Sequence, residues 1–216
     1  MAFQVVCISR TAAAGGEPLG QALAERLGFR YVDEEVIERG AERARITAEE
    51  LASIERKPPV IKRVMDAIGL APVDKNSMGG LVRRPMDFDY YAVRGLPPQI
   101  PSDHRMLIRQ AIHDIAAEGR VVIVAHAASM ALAARTDALR ILVTASPEVR
   151  AARLDLKSSD EAKAVIARDD EGRRDYLQRF YEVPRELPTH YDLVLNTDKL
   201  TPDQVLAIVM SVAGAT

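Results

Sequence analysis

Short β-branched apolar runs, separated by stretches of helical periodicity, constrain this chain more than any other feature. Phe3 to Ile8, Val121 to Val124, Leu139 to Val143 and Leu193 to Leu195 are near-continuous apolar segments of strand length, the pattern of strands buried on both faces of a parallel sheet. Between them, Leu19, Leu23 and Leu27 recur every fourth residue before Gly28, and Leu107, Ile108, Ala111, Ile112 and Ile115 make a second apolar stripe ending at Gly119. Thr47 with Glu50 spells a capping box for a helix through Ile54. Ser146-Pro147 and Thr201-Pro202 are helix starts with proline at its permitted first position. Alternating strands and helices require right-handed crossovers and a doubly wound α/β sheet, whose ligands bind beyond the carboxyl ends of the strands.

At 216 residues, against roughly 150 per domain, the chain reads as one domain over 1–216 with an elaborated insertion. Hydrophobic residues at 48% and charged residues at 28% exclude wholesale disorder. A formal net charge of -2 and only 5% aromatic residues argue against nucleic acid as a partner, because both the global electrostatic attraction and the stacking platforms are missing. The single cysteine, Cys7, excludes an intramolecular disulfide, and the apolar N-terminus is too short for a signal sequence. No run is long enough to span a membrane, so a cytoplasmic protein without membrane contact is expected. His104, His113 and His190 lack ligand spacing to one another or to Cys7, and no metal site is expected from them. Residues 71–101 interrupt the pattern with five prolines and three glycines and read as an irregular insertion or arm. Met78, Met86, Phe88, Tyr90 and Tyr91 make that arm apolar enough to suggest a homodimer packed through it.

The first strand runs into Ser9-Arg10-Thr11-Ala12-Ala13-Ala14-Gly15-Gly16-Glu17-Pro18 and then at once into the Leu19, Leu23, Leu27 helix. Strand, small-residue loop and helix form an arrangement in which backbone N–H groups curl around an anion while the helix N-terminus adds partial positive charge. A phosphate loop normally adds a lysine and a hydroxyl. Here Gly16 stands at the lysine position and Pro18 at the hydroxyl position.

Taken with the later segments, the chain resembles the cytidylate kinase-like family of phosphate-loop kinases, from Phe3 to about Ala213 except across 71–101. The family's first motif, Ser-Arg, a short linker and Gly-Ser-Gly-Gly-Arg-Glu, is matched by Ser9-Arg10 and Gly15-Gly16. Ala13-Ala14 replaces Gly-Ser, and Glu17-Pro18 replaces Arg-Glu. Tyr31-Val32-Asp33 fits the aromatic-x-Asp that ends the second strand. His126 stands where cytidylate kinases place an arginine for the acceptor phosphate. Ile141 to Arg150 matches the strand and helix start before the lid, and Tyr191 to Leu200 matches the last strand and its Asn-Thr turn. Asp170, Arg173 and Tyr176 keep the Asp-x-x-Arg-x-x-Tyr of the lid helix, in a lid region spanning 157–182.

The resemblance implies a three-layer α/β/α P-loop kinase-like fold, with a mostly parallel five-stranded sheet, a central first strand and a helical lid. It implies phosphoryl transfer from ATP with Mg2+ to a nucleotide, nucleoside or similar small acceptor. Arg10 and the loop residues Ala13, Ala14, Gly15 and Gly16 would then hold donor phosphates, Asp33 would orient the acceptor or the magnesium, and Arg168 with Arg173 would close over the transferring group. His126, Asp170 and Tyr176 would face the acceptor. Planar guanidinium groups suit this chemistry because charge spreads over the equatorial oxygens in the transition state. The residues alone leave other readings open. Asp33 and Glu35 could cap the helix from Val36, Arg168 and Arg173 could lie on a solvated charged face, and His126 could be a surface histidine. Loss of the lysine, the hydroxyl and the loop arginine together predicts weak ATP and Mg2+ binding. The alternative function is therefore an impaired nucleotide- or anion-binding or interaction protein on the same scaffold.

Overall fold

A computed structural model describes residues 3–56, 102–124, 126–154, 156 and 158–214. The expected arm at 71–101, with its proposed dimer contact, lies outside the described residues. Five parallel strands form one sheet in the order β2-β3-β1-β4-β5. They are β1 (Val5–Arg10), β2 (Arg30–Val32), β3 (Val121–Ile123), β4 (Ala138–Thr144) and β5 (Leu193–Asn196). β1 is central, with Val5 opposite both Val121 of β3 and Ala138 of β4. Chain order runs from β1 out to β2, back to β3 and then across β1 to β4. The connections therefore reverse direction at β1, the place where such sheets open a ligand crevice at their carboxyl edge.

Alternate residues of the strands supply two cores. Val6, Ile8, Val122, Ile141 and Val143 pack with Leu19 and Leu23 of α1 (Gly16–Leu27) and with Val205 and Val209 of the last helix, Pro202–Ala213. Val5, Cys7, Val121 and Ile123 pack on the other face with Val36 of α2 (Glu35–Ala44), Leu51 of α3 (Ala48–Arg56) and Ile108, Ile112 and Ile115 of α4 (Ser102–Glu118). Three layers result because each strand is apolar on both faces and each helix on only one. Burial pushes the Cys7 thiol up to about 12, which makes this side chain an inert part of the core.

The expected capping box forms at Thr47, and a second one forms at Thr201, where the sequence was read only as a helix start. Thr47 Oγ1 accepts from Glu50 N at 3.1 Å, while Thr47 N donates to the Glu50 carboxylate at 2.8 Å. Thr201 and Gln204 make the same reciprocal pair at 3.3 and 3.0 Å. Two boundaries differ from expectation. β1 continues past Ile8, because Ser9 and Arg10 stay in register with Leu142 and Val143; ladder hydrogen bonds are made by backbone and do not stop where apolar side chains stop. α1 begins at Gly16, three residues before its apolar stripe. Its first turn, Gly16-Glu17-Pro18, faces the loop rather than the core, and Pro18 fits there because N–H groups in a first turn have no helical partner.

After β3 come α5 (Ala128–Ala131), β4, α6 (Pro147–Ala152) and the 23-residue α7 (Ser159–Tyr181), capped by Ser158, whose side chain accepts from Asp160 N and Glu161 N. α8 (Pro202–Ala213) follows β5 and closes the chain onto α1. No helix among the described residues is long and apolar enough to cross a membrane.

Candidate active site

The loop between β1 and α1 turns at the carboxyl edge of the sheet. Gly15 caps α1 at φ 90°, ψ 21°, a left-handed conformation that glycine adopts without strain. Ala13 is also left-handed, at φ 59°. An alanine there costs about 1 kcal/mol, offset by packing of Ala12 and Ala13 on Ala151, Ala162 and Ile166 of α6 and α7. The loop N–H groups are not all free, since Ala14 N donates to Thr11 O at 3.1 Å. From below, Thr197 Oγ1 donates to Ala14 O at 3.0 Å, and Arg153 Nη1 donates to Ala13 O at 3.2 Å and to Thr197 Oγ1 at 2.9 Å. The Asn-Thr turn after β5 is thus a brace for the loop. Arg153 was not anticipated; its signal in the sequence is an arginine one helical turn after Arg150, on the side of α6 that meets the loop.

Arg10, at the end of β1, forms an ion pair with Glu17 in the first turn of α1. Asp33 stands just beyond β2. Burial raises its carboxyl above the usual range, and the charges of Arg10 and His126 oppose that rise. Asp33 does not cap α2. The cap is Glu34, with no side-chain bond, and Glu35 is held on the outer surface by Arg30 and by Arg39 at 2.7 Å. His126 and Ala127 are both left-handed, at φ 54° and 50°. The His126 carbonyl accepts from Tyr176 Oη at 3.3 Å and from Tyr181 Oη at 2.8 Å, which ties the end of α7 to the end of β3.

The structure places the lid-motif residues individually. Asp170 makes a two-point pair with Arg150, at 2.8 and 2.7 Å, and Arg150 is 3% exposed and also donates to Ala145 O. Arg173 is held by Glu186, at 2.9 and 2.5 Å, and by Tyr191 Oη at 3.3 Å. Burial opposes ionisation of Glu186, but the Arg173 bond outweighs it and holds this carboxyl below the usual range. Burial, reinforced by the Glu186 charge, drives the Tyr191 hydroxyl upward, so it remains a neutral donor to Glu186. Arg168 is exposed on α7 and joins none of these groups. Between the loop and α7 lies a cavity of about 250 Å³ whose wall includes Thr11, Asp170, Arg173, Arg174, Arg185 and Glu186. Asp170 and Glu186 are each matched by an arginine, which leaves Arg174 and Arg185 to make this wall electropositive. Neither was singled out from the sequence.

A phosphate group suits the loop and helix terminus electrostatically. For magnesium the hydroxyl ligand is replaced by Pro18, and Asp33 is the carboxylate available at the mouth of the loop. Among the described residues, no three His, Cys, Asp or Glu side chains form a group able to hold a metal by themselves.

Comparison with known proteins agrees with this architecture. Among solved structures, an uncharacterized protein from Eubacterium ventriosum ATCC 27560 superposes with a TM-score of 0.61 at 16% identity over 98% of each chain. Shikimate kinase from Bacteroides thetaiotaomicron superposes with a TM-score of 0.51 at 18% identity over 99% of each chain. At these identities the superpositions show a shared fold, that of the shikimate kinase. No curated protein matches the chain by sequence. The sequence pattern of the cytidylate kinase-like family matches residues 5–199, through the loop, the long helix and the last strand, and the chain belongs to that family.

Proposed function

We propose that this protein is a phosphotransferase whose donor is ATP with Mg2+ and whose acceptor is a small nucleotide, nucleoside or similar hydroxyl- or phosphate-bearing molecule. One observation carries the reading: the β1–α1 loop turns at the carboxyl edge of the sheet beside a cavity whose wall carries Arg173, Arg174 and Arg185, and Asp33, just beyond β2, is a carboxyl raised by burial. A carboxylate lifted towards neutrality is a better proton acceptor for an attacking hydroxyl than an ordinary surface aspartate. The loop residues Ala13 to Gly16 and Arg10 hold donor phosphates. Asp33 orients the acceptor and takes its proton or meets the magnesium, which when bound neutralises phosphate charge. The cavity-lining Arg174 and Arg185 surround the transferring group, Arg173 stays anchored to Glu186, and the exposed Arg168 would reach the group only through movement of the lid. His126, Asp170 and Tyr176 shape the acceptor side, and 157–182 acts as a lid on a single domain.

Asp33→Asn tests the assignment. Turnover across a panel of nucleoside and nucleotide acceptors should fall by about 10²-fold or more, while the melting temperature at neutral pH rises. The stability effect follows from the pKa. The folded state raises Asp33 above its ordinary value, so it binds the proton more tightly than the unfolded chain does, and folding loses stability as pH climbs through that interval. An asparagine carries no such penalty. Unchanged turnover in the variant would remove Asp33 from the reaction.

A second reading, an anion- or nucleotide-binding protein without turnover, is favoured by the Arg10–Glu17 pair and by Pro18 at the hydroxyl position. A thermal-shift panel of nucleoside mono-, di- and triphosphates with and without magnesium separates the two when run beside the turnover assay. Stabilisation by ligand without product supports the second.

A further inference from the structure

The carbonyl of Ala14 has no backbone partner in α1. Its helical donor would be the N–H of the residue four positions on, and that residue is Pro18, which carries none. The ladder accordingly starts one residue later, with Leu19 N donating to Gly15 O at 3.3 Å. Ala14 O is taken instead by the Thr197 hydroxyl at 3.0 Å, and the other bonds of Thr197 set that hydroxyl. Arg153 Nη1 donates to Thr197 Oγ1 at 2.9 Å, and Arg153 Nη2 donates to Thr197 O at 2.6 Å. Thr144 O, a second acceptor 3.3 Å from Thr197 Oγ1, already receives Thr197 N at 2.8 Å. The hydroxyl proton therefore goes to Ala14 O, in a place where Ala14 is 1% and Thr197 7% exposed. The peptide held in this way would otherwise rotate easily, because its nitrogen belongs to Gly15. A Cβ on Gly15 would meet nothing within 4 Å, so at φ 90° glycine supplies backbone freedom there and not room.

We propose that Thr197 is a positioning residue of the anion loop: its hydroxyl, aligned by Arg153, fixes which way the Ala14–Gly15 peptide faces and so presents an N–H, not a carbonyl, to the anion. The proposal rests on the donor-binding reading above and deepens it. In a planar trans peptide the C=O and the N–H point in opposite directions, so a carbonyl drawn towards the Asn-Thr turn directs Gly15 N–H away from that turn. This N–H adds to those of Gly16 and Glu17, which stand outside the ladder in the first turn of α1. The opposite rotation would set the negative end of a carbonyl among them and carry Gly15 to negative φ, which any L residue adopts. The loop thus has two states of opposite polarity, and a hydroxyl 183 residues away selects the one that accepts an anion. Pro18 belongs to the same device, since by lacking an N–H it leaves the Ala14 carbonyl for Thr197 to hold.

The test uses the full chain and reads the ligand-free loop separately from anion binding. Thr197→Val keeps the shape of the side chain and removes the hydroxyl. Without ligand, the NMR resonances of the Ala14 carbonyl carbon and the Gly15 amide should move away from their wild-type positions. Affinity for inorganic tripolyphosphate, measured by calorimetric titration, should weaken about tenfold or more. Thr197→Ser, which keeps the hydroxyl, should restore both. Gly15→Ala introduces no clash but penalises positive φ, and should reproduce the loss of affinity with Thr197 intact. Arg153→Met, at an exposed position, should move the same resonances in the same direction by less. Unmoved resonances in Thr197→Val, with or without a change in affinity, would overturn the control of the peptide. Moved resonances with undiminished affinity would overturn its consequence for the anion. Should Thr197→Val fail to fold, unmoved resonances in Arg153→Met together with undiminished affinity in Gly15→Ala overturn the proposal equally. If the wild type binds neither tripolyphosphate nor magnesium-ATP, the donor reading falls and the anion role of Thr197 falls with it, while the ligand-free resonances still decide whether Thr197 sets the peptide.

Discussion

The arginines that anchor α7, Arg150 from α6 and Arg173 on α7 itself, and the arginine beside the loop carry the same charge in opposite circumstances. Arg150 and Arg173 are sunk against Asp170 and Glu186, in two-point bonds that use most of each guanidinium fork. Arg10 meets one carboxylate through its buried Nε, while the rest of both side chains keeps contact with water. Desolvation makes the first two pairs structural, because removing either partner strands a charge in a place that cannot solvate it. The third pair has little to lose on opening, since water receives both groups. Arginine in a kinase-like motif therefore does not declare its task. The partner and the depth of burial do.

The largest effect that would sharpen this contrast is expected for Asp170→Asn, which leaves Arg150 charged and buried. Chemical denaturation should show a loss of about 3 kcal/mol, and a loss no greater than that of Glu17→Gln would collapse the distinction. Glu186→Gln follows, at about 2 kcal/mol, with a pH signature. The folded state holds the Glu186 carboxyl below its ordinary 4.5. Its contribution is accordingly complete above that value and is lost as pH falls through the folded-state value. Unfolding curves collected across the acid range should lose this component in the variant. Thr201→Ala removes a cap that depends on no tertiary partner and should cost about 1 kcal/mol by thermal denaturation. Glu17→Gln should change stability by about 0.5 kcal/mol or less, and that small change should vanish in high salt, where exposed charges are screened. A salt-insensitive loss at Glu17 would place the Arg10 pair among the buried ones.

Local signals were readable where the physics is local. Thr47 with Glu50 forms the expected box, and the helix read to start at Thr201-Pro202 is capped by Thr201 with Gln204, because a cap involves residues three apart, which no distant contact has to arrange. The stripes of α1 and α4 pack as read, since a helix buries whichever face is apolar. The loop was located correctly but only half understood. Gly16 read as a missing lysine because its neighbour across the turn, Arg10, is six residues away in the chain, and only once β1 and α1 pack does Arg10 leave no room for a Cβ at position 16. Arg173 and Asp170 kept their motif spacing. Their partners, Glu186 and Arg150, lie 13 and 20 residues off, on other segments.

What the sequence determined by itself is the succession of strands and helices, their caps, the parallel character of the sheet and the position of the anion loop. All of these follow from apolar periodicity and short-range backbone hydrogen bonding. Only the tertiary structure decided which charges are spent on holding α7 in place, that Thr197 and Arg153 brace the loop, that Glu34 rather than Asp33 caps α2, and that Arg174 and Arg185 line the cavity. Electrostatic roles depend on distance and burial, and neither exists until segments far apart in the chain have packed against one another.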